Sequence, residues 1–177
     1  MAYNPKDFYF KKAKERNFAA RSVFKLEEID ERFKLFKSGQ NVLDLGCAPG
    51  SWSQCASQKI GKRGVCLGID LQKVNLALTN AKFLQGDAFD DSVVSQFAAE
   101  SGIEVFDIIM SDMAPKTTGI RVQDQQRSFD LCKRAFDVCL HRLRAGGHFI
   151  VKFFQSDAFD DYILMLKPHF LKLEILR

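Results

Sequence analysis

The sequence predicts an α/β domain, a mostly parallel sheet with helices on both faces. Three observations support this: apolar strand patterns alternate with helix patterns, a glycine turn joins the first strand to a helix, and acidic residues follow the strands. Strands are predicted at 41–45, 65–70, 82–86, 105–111 and 148–154, with a further candidate at 170–176. Helices are predicted at 22–36, 52–59, 73–80, 91–100, 124–144 and 157–167. Gly146-Gly147 is predicted to end the helix at 124–144.

The chain divides into an N-terminal segment, 1–37, and a main domain, 38–177. Residues 1–37 combine a basic arm with an amphipathic helix that packs on the core, because apolar residues recur at three- and four-residue steps from Leu26 to Phe36. The first 25 residues hold seven Lys and Arg against two acidic residues, interleaved with aromatics, while the whole chain carries only +4. This arm suits a nucleic-acid backbone, or it is a solvated tail whose aromatics pack on the domain.

Composition predicts one compact domain without a membrane span, and we expect a monomer. Hydrophobic residues make up 46% of the 177 residues, yet no apolar run approaches the ~20 residues that a span needs. The polar N-terminus is not a secretory signal. The cysteines lack a C-x-x-C pair, which indicates reduced core residues of a cytoplasmic protein, and three scattered histidines predict no metal site.

Residues 41–52, NVLDLGCAPGSW, predict a pocket for a nucleotide-like ligand. A buried strand leads through a turn between Gly46 and Gly50 into a helix, so backbone can approach a ligand and free helix-end N–H groups face it. Asp70 ends the next strand, about twenty residues further on, where a ribose hydroxyl would be held.

Acidic residues stand at the ends of the first four strands: Asp44, Asp70, Asp87 and Asp112. Lys152 lies in the predicted fifth strand. One such Asp is often only a turn residue or a helix cap, but the carboxyl ends of parallel strands meet at one edge, where ligands bind. The series therefore predicts a site along that edge.

The glycine spacing favours S-adenosylmethionine over a nicotinamide dinucleotide. The turn reads G-x-x-x-G, whereas a diphosphate site normally needs G-x-G-x-x-G. Repeated carboxylates suit a donor that carries a sulfonium, an ammonium and ribose hydroxyls but no phosphate. Nicotinamide-dependent oxidation stays as the alternative chemistry.

Six segments, in chain order, resemble the FtsJ/RrmJ family of ribosomal RNA 2′-O-methyltransferases: RSVFKLEEID, DLGCAPGSWSQ, GIDL, QGD, SDMAP and VKFFQ. The resemblance runs from about residue 18 to about residue 155, most of the chain. It implies a Rossmann-like S-adenosylmethionine-dependent methyltransferase fold. The resemblance and the turn together imply cofactor contacts at Gly46, Gly50, Trp52, Asp70 (ribose), Asp87 (adenine) and Asp112 (methyl end).

The resemblance also implies three catalytic residues, Lys25, Asp112 and Lys152. The family's fourth, a glutamate on a final strand, has no match here, and Glu174 within LKLEILR precedes the expected position. The expected fold therefore lacks the family's last strand. Lys152 would act as the base, facing Lys25, while Asp112 orients it and Lys25 steers the substrate oxygen.

The implied reaction is methyl transfer to a ribose 2′-hydroxyl, with a uridine of large-subunit (23S) ribosomal RNA as the leading substrate. A tRNA or mRNA-cap 2′-O-methyltransferase and a catalytically weak RNA-binding assembly module stay open. Three basic residues after Asp112 either bind RNA phosphates or belong to a solvated loop: Lys116, Arg121 and Arg127.

Overall fold

The computed structural model describes residues 5–115 and 117–176. Its helices are α1 Pro5–Glu15, α2 Val23–Phe33, α3 Ser51–Ile60, α4 Asp91–Glu100, α5 Arg121–Arg142 and α6 Phe159–Leu166. Its strands are β1 Asn41–Leu45, β2 Val65–Asp70, β3 Ala81–Gln85, β4 Phe106–Ser111 and β5 Leu143–Val151. Within the described residues, no helix is long and apolar enough to cross a membrane.

The five strands form one sheet in the order β3-β2-β1-β4-β5, and every neighbouring pair is parallel. The predicted parallel sheet is confirmed. The chain winds outward from β1 to β3, then returns to the other side of β1 with β4. The strand order therefore reverses between β1 and β4, and a ligand crevice is expected at the carboxyl ends of those strands.

Two apolar clusters cover the two faces of the sheet. Val42 points into a cluster that includes residues of α2 and α3, whereas Leu43 points into a cluster with residues of α4, α5 and α6. Successive strand residues face opposite sides, so a strand buried on both faces reads as a continuous apolar run. All five cysteines are buried and free, as predicted.

The prediction of a helix at 73–80 is wrong, because this segment forms an irregular loop. Side-chain bonds hold both of its ends: Asp70 Oδ1 accepts the Gln72 N–H at 2.7 Å, and Asn80 Nδ2 donates to the Gly61 carbonyl at 2.8 Å. Leu76 and Val74 lie against the position of Gly50. Contacts distant in sequence therefore override the local helical pattern.

The long helix predicted to end at Gly146-Gly147 ends earlier, at Arg142, and both glycines lie inside β5. The pairing of β4 with β5 shifts register between Phe106 and Ile108, which is an irregularity of the bulge type. Gly146 has φ +73°, and a Cβ on Gly147 would crowd the Asp107 carbonyl at 2.8 Å. Glycine therefore serves the bulge rather than a helix end.

Three other boundaries differ. Lys152 directly follows β5 instead of lying within it, and residues 170–176 form no strand. Phe170 of that segment instead stacks on Phe149 of β5, with ring centroids 6.2 Å apart. The helix predicted at 22–36 covers only Val23–Phe33, since Lys34 takes the left-handed conformation at φ +53°.

The N-terminal arm contains a helix that the sequence pattern did not predict, α1. Ala13 of α1 and Phe18 after it are buried in the same cluster as α2 and α3. These two residues therefore pack on the core, and the division of the chain into residues 1–37 and 38–177 stays a prediction.

Candidate active site

The turn between β1 and α3 brings backbone to the carboxyl edge of the sheet. Gly46 and Gly50 have φ +70° and +106°, a region that L side chains rarely adopt. A Cβ on Gly46 would clash with Met113 Cγ, and one on Gly50 would clash with Leu76 Cδ1. The backbone conformation therefore favours glycine at both positions, and a side chain at either one would displace Met113 or Leu76.

Asp70 ties this turn to the end of β2. Its Oδ2 accepts the Ala48 N–H at 2.9 Å, and its Oδ1 accepts the Gln72 N–H at 2.7 Å. Each carboxylate oxygen has a second lone pair, so Asp70 keeps capacity to accept a ligand hydroxyl.

Asp44 is a buried acid within the same crevice, only 1% exposed. Its Oδ2 accepts the Ser53 hydroxyl at 2.6 Å, whereas Oδ1 has no hydrogen-bond partner among the described residues. Burial, and then the negative charges of Asp112 and Asp70, raises the pKa of Asp44 to about 7. The sequence shows that Asp44 lies near the end of a strand, but Asp44 is not among the predicted cofactor-binding residues. Only the folded structure shows that its Oδ1 is buried without a hydrogen-bond partner among the described residues.

Lys152 and Asp112 form an ion pair at the ends of β4 and β5, with Nζ 2.9 Å from Oδ1. The Asp112 side chain is 18% exposed and that of Lys152 40%, so both charged groups are accessible from solvent at this edge of the sheet. The Lys152 N–H also donates to the Ser111 carbonyl at 2.9 Å. This backbone hydrogen bond therefore continues the pairing of β4 with β5 and positions Asp112 and Lys152 next to each other.

Lys25 lies on α2, where Nζ donates to Glu28 at 2.8 Å. This ion pair joins two residues of α2. That Lys25 faces Lys152 stays a prediction. Glu174 pairs with Lys172 at 2.6 Å on the exposed C-terminal segment.

The Trp52 side chain lies in the core, only 4% exposed. Its indole Nε1 donates to the Ser22 carbonyl at 3.0 Å, and the Ser22 hydroxyl lies 3.1 Å from that of Ser51. Its indole therefore joins α3 to the start of α2. A contact between Trp52 and a cofactor stays a prediction.

Asp87 lies two residues beyond β3. Its Oδ1 accepts the Phe89 N–H at 2.9 Å, and Oδ2 lies 3.6 Å from Arg134, which stacks over Phe89 at 4.2 Å. A cavity of about 300 Å³ adjoins this region, lined by Pro115, Arg127, Asp130, Leu131 and Arg134. Arg121 and Arg127 are exposed on α5, and Lys116 lies outside the described residues.

We expect Gly50→Ala to lower both stability and ligand affinity. A left-handed alanine costs about 1–3 kcal/mol, and displacement of Leu76 adds to that. Gly119→Ala is the matched control, because Gly119 has φ +83° and a Cβ added there would meet no atom within 4 Å. Denaturant unfolding and calorimetric titration with the methyl donor measure both quantities. Equal effects of the two substitutions would contradict a role for the Gly50–Leu76 contact.

The sheet order and the glycine turn define a Rossmann-like α/β fold, with strand-end acids at the carboxyl edge of the sheet. Residues 18–177 match the FtsJ-like methyltransferase family, and the chain therefore belongs to that family.

Relatives and solved structures agree with this assignment. A protein of Bdellovibrio bacteriovorus named "Ribosomal RNA large subunit methyltransferase E" is 54% identical over 177 residues, covering 100% of this chain and 90% of its own length. A protein of the same name from Desulfatibacillum aliphaticivorans is 45% identical over 173 residues, covering 97% and 82%. A Plasmodium falciparum structure described as a ribosomal RNA methyltransferase superposes with a TM-score of 0.82 at 25% identity, covering 90% and 91%.

Proposed function

We propose that this methyltransferase moves a methyl group from S-adenosylmethionine to a ribose 2′-hydroxyl of RNA, with a uridine of large-subunit ribosomal RNA as substrate. The observation that carries the proposal is the Lys152–Asp112 ion pair, open to substrate at the edge where the glycine turn and Asp44 meet. The names of the relatives, at 54% and 45% identity, support the choice of ribosomal RNA.

The crevice fits a positively charged donor. The unpartnered Asp44 oxygen lies in a neighbourhood that Asp70 and Asp112 make more negative, and bringing a cation there offsets the cost of burying that acid. Asp70 would hold the ribose hydroxyls and Asp87 the adenine, with Gly46 and Gly50 allowing close approach. When bound, the donor supplies an electrophilic methyl group and a neutral leaving group.

Lys152 is the proposed general base. A ribose hydroxyl is a weak nucleophile at neutral pH, so its proton must pass to a neighbouring group as oxygen bonds to the methyl carbon. Asp112 fixes Lys152 Nζ at 2.9 Å. The neutral form of the Lys152 amine would accept that proton. Lys25 would orient the substrate oxygen from α2.

Incubation with a labelled methyl donor and one of three acceptors tests the proposal: isolated large subunits, free ribosomal RNA or tRNA. We expect label in large-subunit RNA, because the leading relatives carry that substrate in their names. Preferential labelling of tRNA would contradict the substrate. RNA binding without transfer to any acceptor would instead indicate an assembly module.

A further inference from the structure

Helix α1 presents an aromatic and basic surface that the fold leaves uncovered. Phe10 is 61% exposed and makes no ring contact with the rest of the described chain. Lys11 and Lys14 are also exposed, and neither has an acidic partner among the residues that the structure describes. A large ring flanked by two unpaired cations is not explained by core packing.

The opposite side of α1 is firmly attached to α2. Directly after α1, Nη1 and Nη2 of Arg16 donate to the two carboxylate oxygens of Glu27, at 2.7 and 2.6 Å, which is a bidentate pair. Tyr9 lies 5.6 Å from the Phe24 ring, Lys12 Nζ lies 5.2 Å from it, and Ala13 is buried. Since positions 9, 12 and 13 lie on the side of α1 that contacts α2 and the core, positions 10, 11 and 14 lie together on the opposite side.

This attachment places the surface beside the helix that carries Lys25. Phe24, on which Tyr9 and Lys12 pack, directly precedes Lys25. The indole Nε1 of Trp52, on the helix that follows the glycine turn, donates a hydrogen bond to the Ser22 carbonyl at the start of α2. A polymer lying along α1 would therefore pass beside the helix that carries Lys25.

We propose that Phe10, Lys11 and Lys14 form a binding surface for single-stranded RNA, with an unpaired base stacked on Phe10 and phosphates on the two lysines; this rests on the proposed function. The N-terminal segment that carries this surface holds the chain's excess of positive charge. This charge favours a polyanion such as RNA as the binding partner. Phe8 and Tyr9 are also exposed, but their rings contact each other and Tyr9 contacts Phe24, which leaves Phe10 as the ring beside the two lysines. A ring between cations suits base stacking, whereas a membrane surface needs a continuous apolar helix face.

Binding of a short, mixed-sequence, single-stranded RNA oligonucleotide to the full chain tests the proposal by fluorescence anisotropy. We expect Phe10→Ala to weaken binding roughly 5- to 100-fold and Phe10→Trp to preserve it. We expect the double variant Lys11→Gln/Lys14→Gln to reduce the slope of log affinity against log salt by about 1.4, at about 0.7 per phosphate.

A charge-matched control is Lys133→Gln/Lys167→Gln, which removes two exposed lysines in and next to the helices on the other face of the sheet. This variant should keep the wild-type slope apart from a small loss of overall charge. Methyl transfer to large subunits provides an independent measure: Phe10→Ala and Lys11→Gln/Lys14→Gln should raise KM and leave kcat unchanged, whereas Phe10→Trp should keep the wild-type KM.

Three outcomes would overturn the proposal: wild-type RNA binding by both Phe10→Ala and Lys11→Gln/Lys14→Gln, no RNA binding by the wild-type chain at about 50 mM salt, or Phe10-dependent binding to anionic lipid vesicles with RNA affinity unchanged. Failure of the proposed function is distinguishable, because it shows as absent methyl transfer by the wild-type chain whatever the α1 variants bind.

Discussion

Lys152→Ala is expected to lower the rate of methyl transfer by about 10²- to 10⁴-fold, the usual contribution of a positioned general base. Affinity for the donor should stay near that of wild type, because the turn, Asp44 and Asp70 are untouched. The substitution leaves Asp112 with 18% exposure and access to water, so folding should survive. Single-turnover transfer and calorimetric titration measure the two effects separately.

Lys152→Arg separates proton transfer from charge. An arginine can keep an ion pair with Asp112 but stays protonated, so it cannot accept the hydroxyl proton. We expect this variant to be as inactive as Lys152→Ala. Lys133→Ala, which removes an exposed lysine of α5, is the matched control and should retain full activity. Near-normal turnover by Lys152→Ala would remove Lys152 from the mechanism.

Asp44→Asn is expected to stabilise the ligand-free chain at alkaline pH, by up to about 4 kcal/mol at roughly 1.4 kcal/mol per pKa unit. The folded pKa of Asp44 lies near 7, above the ordinary value of 3.8, so the folded state retains a proton that the unfolded state has lost. The cost of ionising it is absent below about pH 4, grows up to about pH 7 and is constant above. Asparagine keeps an oxygen for Ser53 and carries no charge.

Urea unfolding of wild type and Asp44→Asn from about pH 5 to pH 8 measures this difference. The gap in unfolding free energy should widen steadily up to about pH 7. The exposed Asp157→Asn variant is the control and should follow wild type. A gap that is the same at every pH would show that Asp44 does not titrate as its burial requires.

The same substitution should weaken binding of the positively charged donor at about pH 8, because the carboxylate that attracts it is gone. One change would therefore raise stability and lower affinity. Such opposed effects are expected where a buried charge is kept for binding at a cost in stability.

The sequence contained the sheet and its acidic edge because both are local signals. Apolar runs marked β1, β2 and β4 within one or two residues, and Asp70 and Asp112 stand at or directly after strand ends. The parallel topology followed from the alternation of strands with helices. The 2.9 Å contact of Lys152 with Asp112 required the actual register, in which Ser111 pairs with Val151.

Other features depended on contacts that a single sequence does not display. The helix predicted at 73–80 gives way to a loop because Leu76 packs at the position of Gly50 and Asn80 bonds to the Gly61 carbonyl. Gly146 and Gly147 read as a helix end, yet they serve an irregularity in β5. Likewise, only the folded structure shows that Asp44 Oδ1 has no hydrogen-bond partner among the described residues.

The position of the transferred methyl group is the decisive observation for the proposed reaction. Large subunits are labelled with methyl donor by the wild-type chain, their RNA is digested to nucleosides, and the labelled nucleoside is identified by chromatography and mass spectrometry. We predict label on a 2′-O-methyluridine, formed at least about 10²-fold more slowly by Lys152→Ala. Label on a nucleobase would contradict the proposed reaction, as would equal 2′-O-labelling by the Lys152→Ala variant.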